Sequence, residues 1–464
     1  MNETSGNLLC YSDQKIYGYK LNHEVQIDMK LILKIALCSL INNFAFAELR
    51  IEVTKGVDNL VNVAVVPFDW RGRGRLPVDI SEVIGADLRL SGRFQALPAD
   101  QMLSLPHKGN EVFFRDWRLL KVEYLVIGYM QKVPAGIKLH FELYNVFRQS
   151  AEVSLSIVGS EDELRDMAHY VSDVVFEKLT GIEGAFSTQI VYVTASGAID
   201  NRLFRLNVAD ADGHRVKTIL ESREPILSAT WSPDGQRIAY QSFEKDSRPA
   251  IYIQDLVTGR RQQITDFPGL NGAPAFSPDG KQLAMVLSKD GNPDIYILNL
   301  EDRRLRRITR HYGIDTEPSW TVDGEAIIFT SNRGGQPQIY QIRLRDFQIE
   351  RLTFIGDYNA KASLLPDGSG LIMVHRREGI FHITYMDLKR GRLRILTETS
   401  LDESPSVAPN GSMLIYATQF GGRGILAAVS IDGGVKFNLP SSVGDVREPA
   451  WSPKKRKVFE PVYD

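Results

Sequence analysis

Downstream of residue 47 the chain carries seven histidines, His107, His140, His169, His214, His311, His375 and His382, and none are spaced as ligands on one helix or strand. Each reads first as a surface or core histidine. His311 and the acidic residues Asp315, Glu317, Asp402, Glu403, Asp445 and Glu448 differ, because they fall at one recurring place in a repeat described below. A ring of such groups could hold a cation at an opening, and solvated loops give the same pattern. Gly-x-Ser-x-Gly, His-Glu-x-x-His, a phosphate-binding glycine loop and paired Cys-x-x-Cys are all missing. Arg71-Gly-Arg-Gly-Arg75 has two glycines of a dinucleotide turn, but Pro77 stands where the third belongs, so it reads as a basic surface loop. The expectation is a protein with no catalytic residue, no metal and no cofactor.

Composition points the same way. The chain has 464 residues, 43% hydrophobic, 24% charged, with a formal charge of −2, which gives no electrostatic reason to expect nucleic acid. Met29-Lys30 opens a short positive region, Leu31 to Ile41 is apolar apart from Lys34 and Ser39, and Ala45-Phe46-Ala47 is a small-x-small cleavage site. We read a secretory signal that starts at Met29 and is cut after Ala47, with residues 1–28 an upstream extension. The apolar run is too short to span a bilayer. Both cysteines, Cys10 and Cys38, lie upstream of Glu48, so the exported chain would form no disulfide.

The elements that must position any site are announced by a repeat. Trp231-Ser-Pro-Asp-Gly235, Phe276-Ser-Pro-Asp-Gly280, Trp320-Thr-Val-Asp-Gly324, Leu364-Leu-Pro-Asp-Gly368, Val407-Ala-Pro-Asn-Gly411 and Trp451-Ser-Pro453 recur about every 44 residues, the length of one four-stranded propeller blade. The large apolar residue fills the wedge between sheets, Pro and Asp shape the turn, and Gly takes its left-handed position. Two residues before it stand Pro274, Pro318, Pro405 and Pro449, with Ala229 and Ala362 as exceptions. Five units are complete, and the sixth has its first strand at Trp451 and its other three at 189–194, 202–208 and 215–220. Sharing one sheet between the two ends closes a six-bladed ring and removes exposed edges. The loops entering each blade and the second-to-third-strand connections then share one face.

Residues 48–184 have another texture, a small α/β domain. Val61 to Phe68 reads as a buried strand, Pro77 to Leu90 as a helix, Tyr124 to Lys132 and Ile137 to Phe147 as a hairpin, and Ala151 to Val158 as a strand. A last helix is capped by Ser160 with Glu163 and stopped by Gly181. The fold class is therefore mainly β, with a six-bladed propeller over residues 185–464 behind this domain.

Five motifs are more specific than the repeat pentapeptide, and several of them lie outside it: Val65-Val-Pro-Phe-Asp-Trp70, Val175-Phe-Glu-Lys-Leu-Thr-Gly181, Asn271-Gly-Ala-Pro-Ala-Phe-Ser-Pro-Asp-Gly280, Thr316-Glu-Pro-Ser-Trp320 and Leu401-Asp-Glu-Ser-Pro-Ser-Val-Ala-Pro-Asn-Gly411. With them the chain, from about Met29 to Pro453, resembles the TolB family of the bacterial Tol-Pal envelope system. The resemblance implies a monomeric periplasmic protein that binds the lipoprotein Pal through the propeller face and the membrane protein TolA through an N-terminal peptide. It implies membrane association only through such partners, with other outer-membrane lipoproteins or porins as further candidates. The family's Pal-contacting loops map onto Leu270, Asn271, Gly272 and Ala273 and onto Asp315, Thr316 and Glu317, with Asp402 and Glu403 on the same face. Leu270 stands where the family often has His. The TolA peptide maps onto Glu48, Leu49, Arg50, Ile51, Glu52 and Val53, an alternating segment suited to strand addition. Two plainer readings compete: the Gly-Ala-Pro and Glu-Pro steps could serve only to start the innermost strands, and the peptide could pair within its own domain. Rival functions are a propeller hydrolase or lyase, which needs carboxylates or histidines converging in the tunnel, and a solute- or cation-binding sensor.

Overall fold

The computed structural model describes residues 51–53 (backbone only), 60–399, 401–440, 444–453 and 456–462. The start at Met29, the cleavage after Ala47 and the peptide residues Glu48, Leu49 and Arg50 lie outside them. Among the described residues no helix is long and apolar enough to cross a membrane.

The first domain is built on one sheet, in the order Phe94–Leu97, Val61–Val65, Tyr124–Val133, Gly136–Asn145, Ser150–Gly159. The first three strands are parallel and the rest antiparallel. Val63 and Val65 face one side and Ala64 and Val66 the other, as the period of two requires. Helix α1 (Ile80–Leu90) and helix α3 (Leu164–Thr180) bury Ile84, Leu88, Met167 and Val171 against the first side. Helix α2 (Phe114–Leu119) plants Trp117 on the second. The Ser160–Glu163 capping box forms with both arms, and Gly181 ends α3 at φ 72°. The α1 start is corrected from Pro77 to Ile80, because the Asp79 carboxylate accepts from Ser81 N (3.0 Å) and Glu82 N (3.2 Å). The strand Phe94–Leu97 and α2 were not expected, being too short for their periodicity to be read.

Six four-stranded sheets follow. Blade one joins Asp445–Trp451 to Gln189–Ser196, Leu203–Asp210 and Lys217–Ser222, so the two ends of the repeat region do close the ring in one sheet. The inner strands of blades two to six are Ile226–Trp231, Asn271–Phe276, Asp315–Trp320, Asn359–Leu364 and Glu403–Val407. The repeat's parts do the jobs assigned to them. Trp231 Nε1 donates to Ala450 O and Trp320 Nε1 to Ala275 O, each 3.0 Å, tying a blade to the inner strand of the blade before it. Thr265, Thr309, Thr353 and Thr397 accept through Oγ1 from Ile251, Ile295, Ile339 and Ile383 N, satisfying an amide where the short fourth strand has ended.

Every inner strand also bulges at one place. Ser228, Ala273, Glu317, Lys361, Ser404 and Glu448 have φ between 47° and 55°, and the pairing register shifts at each. Each sits directly before the patterned Pro or Ala. Proline is tolerated there because the inner strand is the sheet edge at the channel and needs no outward N–H.

Both ends of the described chain return to the domain junction. Ile51–Val53 adds antiparallel to the outer strand of blade six, Val435–Asn438, with Ile51 opposite Phe437 and Val53 opposite Val435. The peptide therefore pairs with the propeller and not, as one reading had it, within its own domain; this outer strand offers an otherwise bare row of N–H and C=O groups. The tail after Trp451 inserts Phe459 into the first domain's core, edge-on to Tyr170 at 5.6 Å, and Val462 N donates to Ser156 O.

Candidate functional site

Loops entering the inner strands meet the second-to-third-strand connections on one face: Ser288 N donates to Leu270 O (3.1 Å) and Arg376 N to Tyr358 O (3.0 Å). This is the mouth. Its nine expected residues divide into builders and presenters. Asn271 is fully buried, and its amide donates to Phe267 O and Gly269 O, shaping the loop ahead of the strand. A Cβ at Gly272 would meet the end of the Gln241 side chain at 2.7 Å, which would have to shift to admit it. Asp315 is buried against Arg333 Nη2 (2.7 Å), and Asp402 is buried with Thr399 Oγ1 donating to it. These four hold the mouth in shape. Leu270 is exposed, and Thr316 and Glu403 are half-buried.

The sequence reading missed the apolar rim around them. Phe267, Tyr312, Ile314, Phe354, Ile355 and Leu401 are all exposed, Tyr312 to 87%. They belong to the connecting loops of blades two to six, four of them one or two residues past the closing Thr or just before the next strand. Exposed apolar side chains recurring on the loops of one face suit a protein-docking surface better than ones scattered singly over the molecule do. The Thr that ends each fourth strand could have located the loops; nothing in the sequence said which of their side chains point outward.

Behind the rim the six bulge residues line the channel. The remaining expected residues, Ala273 and Glu317, belong to this set. Glu317 Oε2 accepts from Lys361 N (2.8 Å) and Thr330 Oγ1 (2.8 Å), so its carboxylate is turned into the wall rather than out toward a partner. Lys361 Nζ reaches Ser404 Oγ and Glu448 Oε2, each at 2.8 Å, linking blade five to blades six and one. Burial alone would lower the Lys361 pKa, but Glu448, Glu317 and Glu403 outweigh it and hold the amine above its ordinary value. Carboxylates do converge in the tunnel, as a hydrolase would require, yet they converge on an ammonium of the protein itself.

A second polar cluster lies between the domains. His169 on α3 is buried, with Nδ1 2.8 Å from Asp87 of α1 and Nε2 3.8 Å from both Asp210 and Asp212 of blade one. Arg165 reaches Asp212, Arg215 reaches Asp166 (2.6 Å) and Asp210 (2.7 Å), and Arg456 of the tail lies 3.5 Å from Asp166. Burial alone would lower the His169 pKa; Asp87, Asp210 and Asp212 reverse this and push it up to about 10. Four carboxyl groups thus meet three guanidinium groups and one imidazole, equal numbers of acidic and basic side chains. Asp87, His169 and Asp212 come close enough to share a metal ion, but the arginines already engage the surrounding carboxylates. No spacing could have shown this grouping, since its members are drawn from four separate segments.

With this geometry in hand, comparison with known proteins is informative. The family model for the TolB amino-terminal domain matches residues 49–151, and that for the TolB beta propeller domain matches residues 176–455. The chain is 59% identical over 430 residues to the Tol-Pal system protein TolB of Alcanivorax borkumensis, covering 92% of this chain and 97% of that one. It is 61% identical over 418 residues to the protein of the same name from a Marinomonas species, covering 90% and 96%. The crystal structure of TolB from Acinetobacter baumannii matches with a TM-score of 0.80 and 43% identity, over 88% of this chain and 100% of that chain.

Proposed function

Because the chain belongs to the TolB family of Tol-Pal system proteins, we propose that it is a periplasmic, non-catalytic adaptor that binds Pal at the propeller mouth and TolA through residues 48–53. In this reading it supports outer-membrane integrity and envelope constriction during division. The observation that carries it is the set of exposed apolar side chains on the loops around a closed channel. Leu270, Thr316 and Glu403 would touch Pal directly. Asn271, Gly272, Asp315 and Asp402 would act by fixing loop shape, and Ala273 and Glu317 by shaping the channel wall beneath. For TolA the support is the three-residue strand on blade six, short enough to be exchanged for pairing with another protein.

Titration calorimetry of residues 48–464 with the soluble part of Pal tests the first half. A saturable complex is expected, weakened about tenfold or more by Leu270→Asp with Thr316→Arg and unchanged by Leu103→Asp, an exposed position on the first domain. No complex, or a double variant that binds as tightly as the parent, refutes the reading. Release and docking of the strand would also give the two partners a reciprocal effect on each other's affinity. An affinity for a TolA fragment that does not move when Pal is added would refute that coupling.

A further inference from the structure

The face opposite the mouth carries charge in a pattern that follows what covers it. Leu256, Leu300 and Leu344, at the turns between third and fourth strands, donate through N to Gln236, Lys281 and Glu325 O, each at 2.9 Å. These turns therefore lie beside the Pro-Asp-Gly turns, on one face. The first domain stands on that face over blades six and one: Asn410 Nδ2 donates to Glu183 O, and the blade-one turn offers Asp210 and Asp212 to Arg165 and His169. Over blades two to five, where nothing among the described residues covers it, the same structural position is basic. Residues 255–263, 299–307, 343–351 and 387–395 hold 13 Arg and Lys against 6 Asp and Glu, in a chain whose net charge is −2.

On this face a cleft of about 520 Å³ lies between blades two and three, lined by Arg237, Arg260, Arg261 and Arg303. Arg261 is committed to Glu244 (2.6 Å) and Tyr240 Oη (2.7 Å). The Asp255 carboxylate is turned into its own loop, accepting from Thr258 N and Oγ1. Arg237 lies over the Phe276 ring. Among the described residues Arg260, Arg303 and neighbouring Arg304 form no ion pair, and they are exposed.

We infer that this half-face is a docking surface for an acidic polypeptide segment, distinct from the mouth and from the edge of blade six. Guanidinium forks match carboxylates in pairs, and crowded unpaired cations repel one another until an anionic partner arrives. A flat anionic bilayer fits less well. The first domain rises from the same face, so the basic turns form the floor of a step that an extended chain can enter.

The test uses residues 48–464 and a fluorescent oligo-glutamate of about twenty residues, long enough to reach across two blades at about 3.3 Å per residue. Anisotropy is expected to show saturable binding that weakens as salt is raised past about 0.15 M, where screening acts beyond about 8 Å. Arg260→Glu with Arg303→Glu should reduce affinity about tenfold or more. Arg304→Glu with Arg392→Glu, on blades three and five, provides a second variant should the first misfold. Leu270→Asp at the mouth should have no effect. The proposal falls if oligo-glutamate fails to bind, if folded forms of both arginine variants bind it like the parent, or if the same arginines instead serve vesicles rich in phosphatidylglycerol while the peptide is ignored.

Discussion

His169 shows how one side chain can join two domains. Its protonation is held by carboxylates from α1 and from blade one, so it contributes only while both domains are in place. The folded pKa of about 10 lies above the ordinary 6.5, so this stabilisation is complete below about pH 6.5 and is lost as pH rises through about 10. The thermal midpoint of the parent protein should therefore fall between pH 7 and pH 10, with other groups adding their own dependence. His169→Gln should cost about 3 kcal/mol at pH 7 and flatten that fall; a variant whose pH profile runs parallel to the parent's would contradict the assignment. In the sequence His169 looked like any of seven histidines, because its partners lie up to 82 positions away. Glu317 is the converse case. Its place at the mouth was legible from the repeat, but the inward turn of its carboxylate depends on the bulge at φ 52°, which no pattern of residue types encodes.

At the level of elements, most of the propeller could be read in advance, because five units repeat the same turn and wedge position and four of them the closing Thr, and the copies average out local ambiguity. The first domain was harder. Its long helix carried a capping box, a stripe and a stop glycine, whereas Phe94–Leu97 and α2 are too brief to show a period. The docked strand Ile51–Val53 was legible as a strand but not as to its host, since strand addition specifies a free edge and not which one. Removing residues 48–53 should leave the rest of the chain folded and speed amide hydrogen exchange along Val435–Asn438, whose outward groups lose their partners. Unchanged protection there would mean that the edge is held by something other than this strand. α1 gives that edge a firm neighbour: a Cβ at Gly92, just past its end, would meet Val435 at 2.3 Å. Gly92→Val should therefore disturb the same four residues, seen as faster exchange confined to blade six.

At the scale of the whole molecule, the tail acts as a clasp from the propeller seam to the first domain. Phe459 fills a position between Met167 and Tyr170, and Arg456 joins the ionic cluster. Phe459→Ala should cost about 3–5 kcal/mol, lowering the first thermal transition; a midpoint within a degree of the parent's would show that the clasp carries no load. The seam itself has a consequence for how the chain comes into being. Blades two to six are complete once residue 438 has been made, but Gln189–Ser196 must wait about 250 residues for its inner neighbour, Asp445–Trp451. Throughout synthesis, then, the growing polypeptide carries an unfinished first sheet that can pair with any passing strand. A chain cut short anywhere before residue 445 does not give a smaller ring. It gives an open crescent with two sticky ends, and such products should be recovered as aggregates or degradation fragments, never as soluble protein.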